Sequence, residues 1–91
     1  MERGYAKDKD ALVARLGRIQ GQVGGISRMV ASDQYCIDIL TQISAVKAAL
    51  DKVGMLLLED HVHHCVVDAA RSGQTDKLDE LVAAVGRFAK A

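Results

Sequence analysis

Proline and tryptophan are absent from this chain of 91 residues, and its aromatic side chains are two tyrosines and one phenylalanine. Without proline, nothing forces a break in a long helix. With so few rings, the core must be built from Leu, Ile, Val, Ala and Met, although apolar residues make up 49% of the chain. No apolar run approaches the ~18 residues that a membrane span needs. The start also lacks the basic, apolar and small-residue order of a secretory leader. A cytosolic protein is expected. In a reducing compartment its two cysteines are thiols or metal ligands rather than a disulfide. No paired carboxylates, nucleophile–base pair or phosphate-cradling loop appears, so an enzyme is not expected. A thin aliphatic core on long helices calls for partners, and an oligomer is expected.

The formal net charge is zero, but it is unevenly spread: residues 1–52 hold eight Lys/Arg against six Asp/Glu, and residues 53–91 hold four against six. Arg15, Arg18 and Arg28 lie in a stretch, 11–32, that contains no acid.

Hydrophobic spacing predicts an all-α chain of three helices over about 7–31, 34–71 and 75–89, forming one domain over 1–91. Leu12, Leu16, Ile19, Val23, Ile26 and Val30 step by four and three along the first helix, the seam of a helix packed on other helices. Ser32 and Asp33 punctuate its end and offer an N-cap to the next helix. Cys36, Leu40, Ile43, Val46, Leu50, Val53 and Leu57 continue the same rhythm in the second. Gly73 suits a left-handed C-terminal cap. In the third, Leu78, Leu81, Val82, Val85 and Phe88 make the apolar face. Residues 1–5 are expected to fray. Gly17, Gly21 and Gly24 share the face of the first helix opposite its seam. They mark either a close backbone approach or local flexibility, at a cost of up to ~1 kcal/mol each.

His61 and Cys65 are four apart and share a helix face, a spacing that chelates one ion. Cys36 lies one long helix away from them, about 37 Å at 1.5 Å per residue. Two antiparallel copies related by a two-fold axis remove the difficulty, because residue i of one then faces residue j of the other with i + j constant. Setting Cys36 opposite the His61–Cys65 pair puts the axis at Ala48-Ala49-Leu50, where small side chains permit close approach. The expected site takes Cys36 from one chain and His61 with Cys65 from the other. Two thiolates and one imidazole select a soft ion, and three ligands suit Cu(I). Structural zinc wants a fourth ligand, which Glu59, His63 or His64 can supply, so zinc stays open at this point.

Lys7, Arg15, Arg18 and Gln22 form a polar stripe beside the first seam, and Lys47 and Lys52 add charge from the second helix. Cationic side chains on a rigid helix suit phosphate contacts. A solvated face is the plainer reading, since there is no helix-turn-helix signal and no aromatic ladder for base stacking.

The segments R-L-G-R-I-Q-G-Q-V-G-G-I at 15–26, D-Q-Y-C-I-D-I-L-T-Q-I-S-A-V at 33–46 and H-V-H-H-C at 61–65 together resemble the copper-sensitive operon repressor (CsoR) family over nearly the whole chain. The resemblance implies a dimer with an antiparallel four-helix core, and two such dimers in a homotetramer. It implies Cu(I) held between subunits by Cys36, His61 and Cys65, and operator DNA that the apo form binds and the copper form releases. It places Tyr35 and Glu80 around the histidine, where hydrogen bonds to the ring can relay metal binding to helix packing. It matches the family's basic residues to Arg15 and to Lys52, where lysine replaces arginine and loses the bidentate fork. Nickel and cobalt sensors of the family carry His where this chain has Cys65, and use an extra N-terminal His. Persulfide sensors lack the histidine that is His61 here. The alternatives are a thiol-redox repressor that links Cys36 to Cys65, and a helical scaffold that binds no DNA.

Overall fold

The computed structural model describes residues 5–73 and 75–90, and the side chains of all of these except Cys65, Val66 and Ala69. A short 3₁₀ turn, Ala6–Asp8, leads into α1 (Lys9–Ala31). Helix α2 (Cys36–His61) passes directly into a π-helical turn (Val62–Val66) and then α3 (Val67–Arg71), and α4 is Thr75–Lys90. No strand occurs among the described residues. The three long helical segments start within two residues of the predicted positions. The exception to regularity is the π turn inside the second, where the Val67 N–H reaches back to the Val62 carbonyl, five residues earlier.

Two turns define the segment ends, and both use the same device. After α1 the Asp33 N–H donates to the Val30 carbonyl and the Gln34 N–H to the Met29 carbonyl, with Asp33 left-handed at φ 59°. That is a Schellman closure, with an aspartate where glycine is usual. The Ser32 hydroxyl donates to the Arg28 carbonyl at 2.9 Å. The expected N-cap role of this pair for the next helix is therefore not what these groups do: both serve the end of α1. The first carbonyl of the next helix to accept is that of Tyr35, from the Asp38 and Ile39 N–H groups. After α3 the Ser72 hydroxyl donates to the Asp68 carbonyl, and Gly73 takes the left-handed position at φ 79°, as its sequence position suggested.

The chain gathers into two compact units, one of residues 8–53 and one that joins the residues before Asp8 to 54–91. Among the described residues the buried apolar side chains, Leu12 and Ile19 of α1 with Val46 and Val53 of α2, all lie in the first unit. The rest of each seam divides by phase. On α2, Ile39, Val46, Ala49 and Val53 are buried or half-buried, whereas Cys36, Leu40, Ile43 and Leu50 are exposed. One chain thus covers one apolar stripe of α2 and leaves a second, one that begins at Cys36, open. In the second unit the apolar face of α4 is only partly covered: Leu78 and Leu81 are half-buried, and Val82 is 71% exposed. On the glycine face of α1, a Cβ on Gly17 or Gly21 would meet nothing within 4 Å among the described residues, and one on Gly24 would meet the Arg28 side chain at 3.5 Å.

Candidate metal centre

His61 closes α2, and its side chain lines a cavity of about 290 Å³ with Leu57 and Leu58 of the same helix, Glu80, Leu81 and Ala84 of α4, and Tyr5. The helical spacing explains the lining. Leu57, Leu58 and His61 share one side of α2, and Glu80, Leu81 and Ala84 share one side of α4. The imidazole therefore has mostly aliphatic neighbours and one carboxylate, Glu80, on the same cavity, and both His61 and Glu80 are exposed in the single chain. Glu80 was placed around the histidine by resemblance alone, and it lines the histidine's cavity here. Tyr5 was expected to fray with the first residues. It instead lines the same cavity, and the one signal that could have flagged it is the scarcity of aromatic residues.

Cys36 is the first residue of α2 and carries an exposed, free thiol. Tyr35 precedes it and is 68% exposed. The backbone of Cys65 runs in the π turn, so the four-residue step from His61 to Cys65 is made through a wider turn than an α-helix provides. The Cys65 side chain lies outside the described residues. Among the described residues of one chain, no three His, Cys, Asp or Glu side chains gather closely enough to hold a metal ion. The donor chemistry nevertheless suits a soft cation: an accessible thiol stands at one end of α2 and an accessible imidazole at the other. Of the basic residues, Arg15 is half-buried, and Arg18, Lys47 and Lys52 are exposed. No helix among the described residues is long and apolar enough to cross a membrane.

Residues 8–87 match the metal-sensitive transcriptional repressor family. The chain belongs to that family. It is 52% identical over 87 residues to the copper-sensing transcriptional repressor CsoR of Bacillus subtilis, an alignment that covers 94% of this chain and 86% of the relative. It is 47% identical over 91 residues to the copper-sensing transcriptional repressor RicR of Mycobacterium tuberculosis, covering 97% and 95% of the two chains. Among solved structures it is similar to the copper-sensing repressor CsoR with Cu(I) from Geobacillus thermodenitrificans, with a TM-score of 0.85 and 49% identity over 91% of this chain and 88% of that one. It is also similar to the nickel-responsive transcriptional regulator InrS, with a TM-score of 0.74 and 41% identity over 87% of this chain and 90% of that one.

Proposed function

We propose that this chain is a Cu(I)-sensing transcriptional repressor, cytosolic and without enzymatic activity, whose apo form holds operator DNA and whose copper-loaded form lets it go. The copper site combines Cys36 of one copy with His61 and Cys65 of a second copy. Bound Cu(I) would supply short bonds to two thiolates and an imidazole that tie the opposite ends of two α2 helices together. The observation that carries this reading is the open stripe of α2. Cys36, Leu40, Ile43, Leu50, Leu57 and His61 are all exposed in the single chain, and they recur at steps of three, four and seven. A second copy lying antiparallel on that stripe buries its leucines and brings each Cys36 to the far end of the other helix. This supports a dimer with an antiparallel four-helix core, and two such dimers in a homotetramer.

Tyr35 and Glu80 hold the imidazole in the orientation the metal needs, in the way that hydrogen-bonding partners of a metal-bound histidine do. Arg15, Arg18 and Lys52 contact DNA phosphates. Nickel is disfavoured by ligand type, since two thiols with one imidazole suit a soft monovalent ion better than a borderline divalent one.

The test is fluorescence anisotropy with a labelled duplex that the apo protein selects from random-sequence DNA, comparing apo protein with protein given one Cu(I), one Ni(II) or one persulfide per chain, and with His61→Ala. Copper is expected to weaken binding by tenfold or more, within the usual ~5- to 150-fold range of such couplings, and His61→Ala to abolish that response. An affinity that copper leaves unchanged and nickel or persulfide lowers would contradict the proposal.

A further inference from the structure

A second cavity, of about 140 Å³, adjoins the first and is lined by Gly54, Leu58, Ala84, Val85 and Phe88. The lining runs in order along the two helices: Gly54 faces Phe88, Leu58 and Ala84 line both cavities, and His61, Glu80 and Leu81 line the first. The numbers rise on α2 as they fall on α4, so the helices run antiparallel here. Where Gly54 faces Phe88 the fit is tight. A Cβ on Gly54 would lie 2.5 Å from both Cε1 and Cζ of Phe88 and 3.5 Å from Cδ1. Ordinary carbon–carbon contact needs roughly 3.5–4.0 Å, so the ring occupies space that only glycine leaves free.

We infer that Gly54 and Phe88 set the register of α4 on α2, and that this register holds Glu80 against His61. The inference rests on the reading of His61 as a metal ligand. Phe88 and Glu80 are eight residues apart on one helix, about 12 Å at 1.5 Å per residue, and a helix transmits a slide over that length with little loss. A Cβ at position 54 displaces the ring edge, 37% exposed, by about 1 Å or more; where α4 moves with the ring, Glu80 leaves the roughly 0.5 Å tolerance that an orienting group needs. Glycine weakens a helix interior, and the seat that Gly54 makes for the ring offsets that cost. Phe88 is thus a positioning residue: it acts on the imidazole through Glu80 and contacts no metal.

The experiment compares wild type, Gly54→Ala, Phe88→Leu, Phe88→Ala and the double variant Gly54→Ala/Phe88→Leu as full chains. Cu(I) affinity is read by competition with a chromophoric chelator. NOE cross-peaks from the His61 ring to Leu81 and Ala84 methyls are read on the apo protein. Gly54→Ala is expected to lower Cu(I) affinity about tenfold, the lower end of what loss of a ligand's hydrogen-bonding partner costs, and to weaken those cross-peaks. Adding Phe88→Leu should restore both, because leucine ends near the Cδ position, where contact with the new Cβ is ordinary, and lacks the two clashing atoms. Phe88→Ala removes the ring without a clash and should also weaken the cross-peaks, which keeps the test decisive should Gly54→Ala fail to fold. Wild-type affinity and cross-peaks in Gly54→Ala, or a double variant no closer to wild type than Gly54→Ala, would overturn the inference. A wild-type protein whose DNA binding ignores copper would instead overturn the function proposed above, and the cross-peaks would still decide the register.

Discussion

His61, the last residue of α2, and Glu80, in the second turn of α4, line one cavity whose other walls are Leu57, Leu58, Leu81, Ala84 and Tyr5. A carboxylate and an imidazole that line the same open cavity are placed for one to orient the other. Glu80→Ala should therefore lower Cu(I) affinity by about ten- to a hundredfold and leave the DNA affinity of the apo protein unchanged. Chelator competition and anisotropy on the same preparation check both halves. Unchanged copper affinity would remove Glu80 from the site.

Lys52 is exposed and Arg15 half-buried, so both can lose their charge without emptying the core. Lys52→Ala and Arg15→Ala should each weaken DNA binding across unrelated sequences. Each should also lower the slope of log affinity against log salt by about one. A titration between low and moderate salt measures the slope, and an unaltered slope would show that the side chain touches no phosphate.

The two left-handed turn residues predict opposite outcomes. Gly73 at φ 79° has no steric cost, so Gly73→Ala should destabilise by about 1–2 kcal/mol. Asp33 at φ 59° already bears such a cost. Asp33→Gly should stabilise by on the order of 0.5 kcal/mol after the extra freedom of glycine in the unfolded chain is counted, and Asp33→Val should destabilise. Denaturant midpoints, read at one protein concentration because an oligomer's stability depends on it, give the signs directly.

Leu12 and Val53 are 5% and 4% exposed. Leu12→Ala should cost about 2–5 kcal/mol, a large part of what a domain of this size has. Leu40→Ala, on the open stripe, should act differently. It should raise the dimer dissociation constant read by sedimentation equilibrium, so that the dimer dissociates on dilution, while leaving the helix content at high concentration intact.

The fold was legible where periodicity speaks for itself. Leu12, Ile19, Val46 and Val53 stand on the predicted seams and are the buried side chains of the first unit. The absence of proline correctly left the second segment helical from Cys36 to Arg71. What could not be read is what tertiary packing decides. Nothing in V-H-H-C-V distinguishes a π turn from an α turn, because both use the same residues and differ by one step in the hydrogen-bond ladder. Asp33 has the chemistry of an N-cap and of a left-handed C-terminal residue, and only the local geometry chooses. Among the glycines, Gly17, Gly21 and Gly24 stand out by their common face, yet the one with a ring against it is Gly54, a solitary glycine whose partner is 34 positions away at Phe88. For the site, the sequence offers Cys36, His61 and Cys65 as candidate ligands, and their spacing points to two chains. Tyr5 was not, since a residue so near the start has no periodic pattern to place it.

The central claim is that each copper ion is held by two chains, and mixing two dead variants tests it most directly. Cys36→Ser and His61→Ala are each titrated with Cu(I) alone and after unfolding and refolding together as an equimolar mixture. Neither should bind copper tightly by itself. In a mixed dimer, the intact Cys36 of the His61→Ala chain meets the intact His61 and Cys65 of the Cys36→Ser chain, so the mixture should regain tight binding at one ion per mixed dimer. A mixture that binds no more copper than the two variants do separately would contradict the shared site.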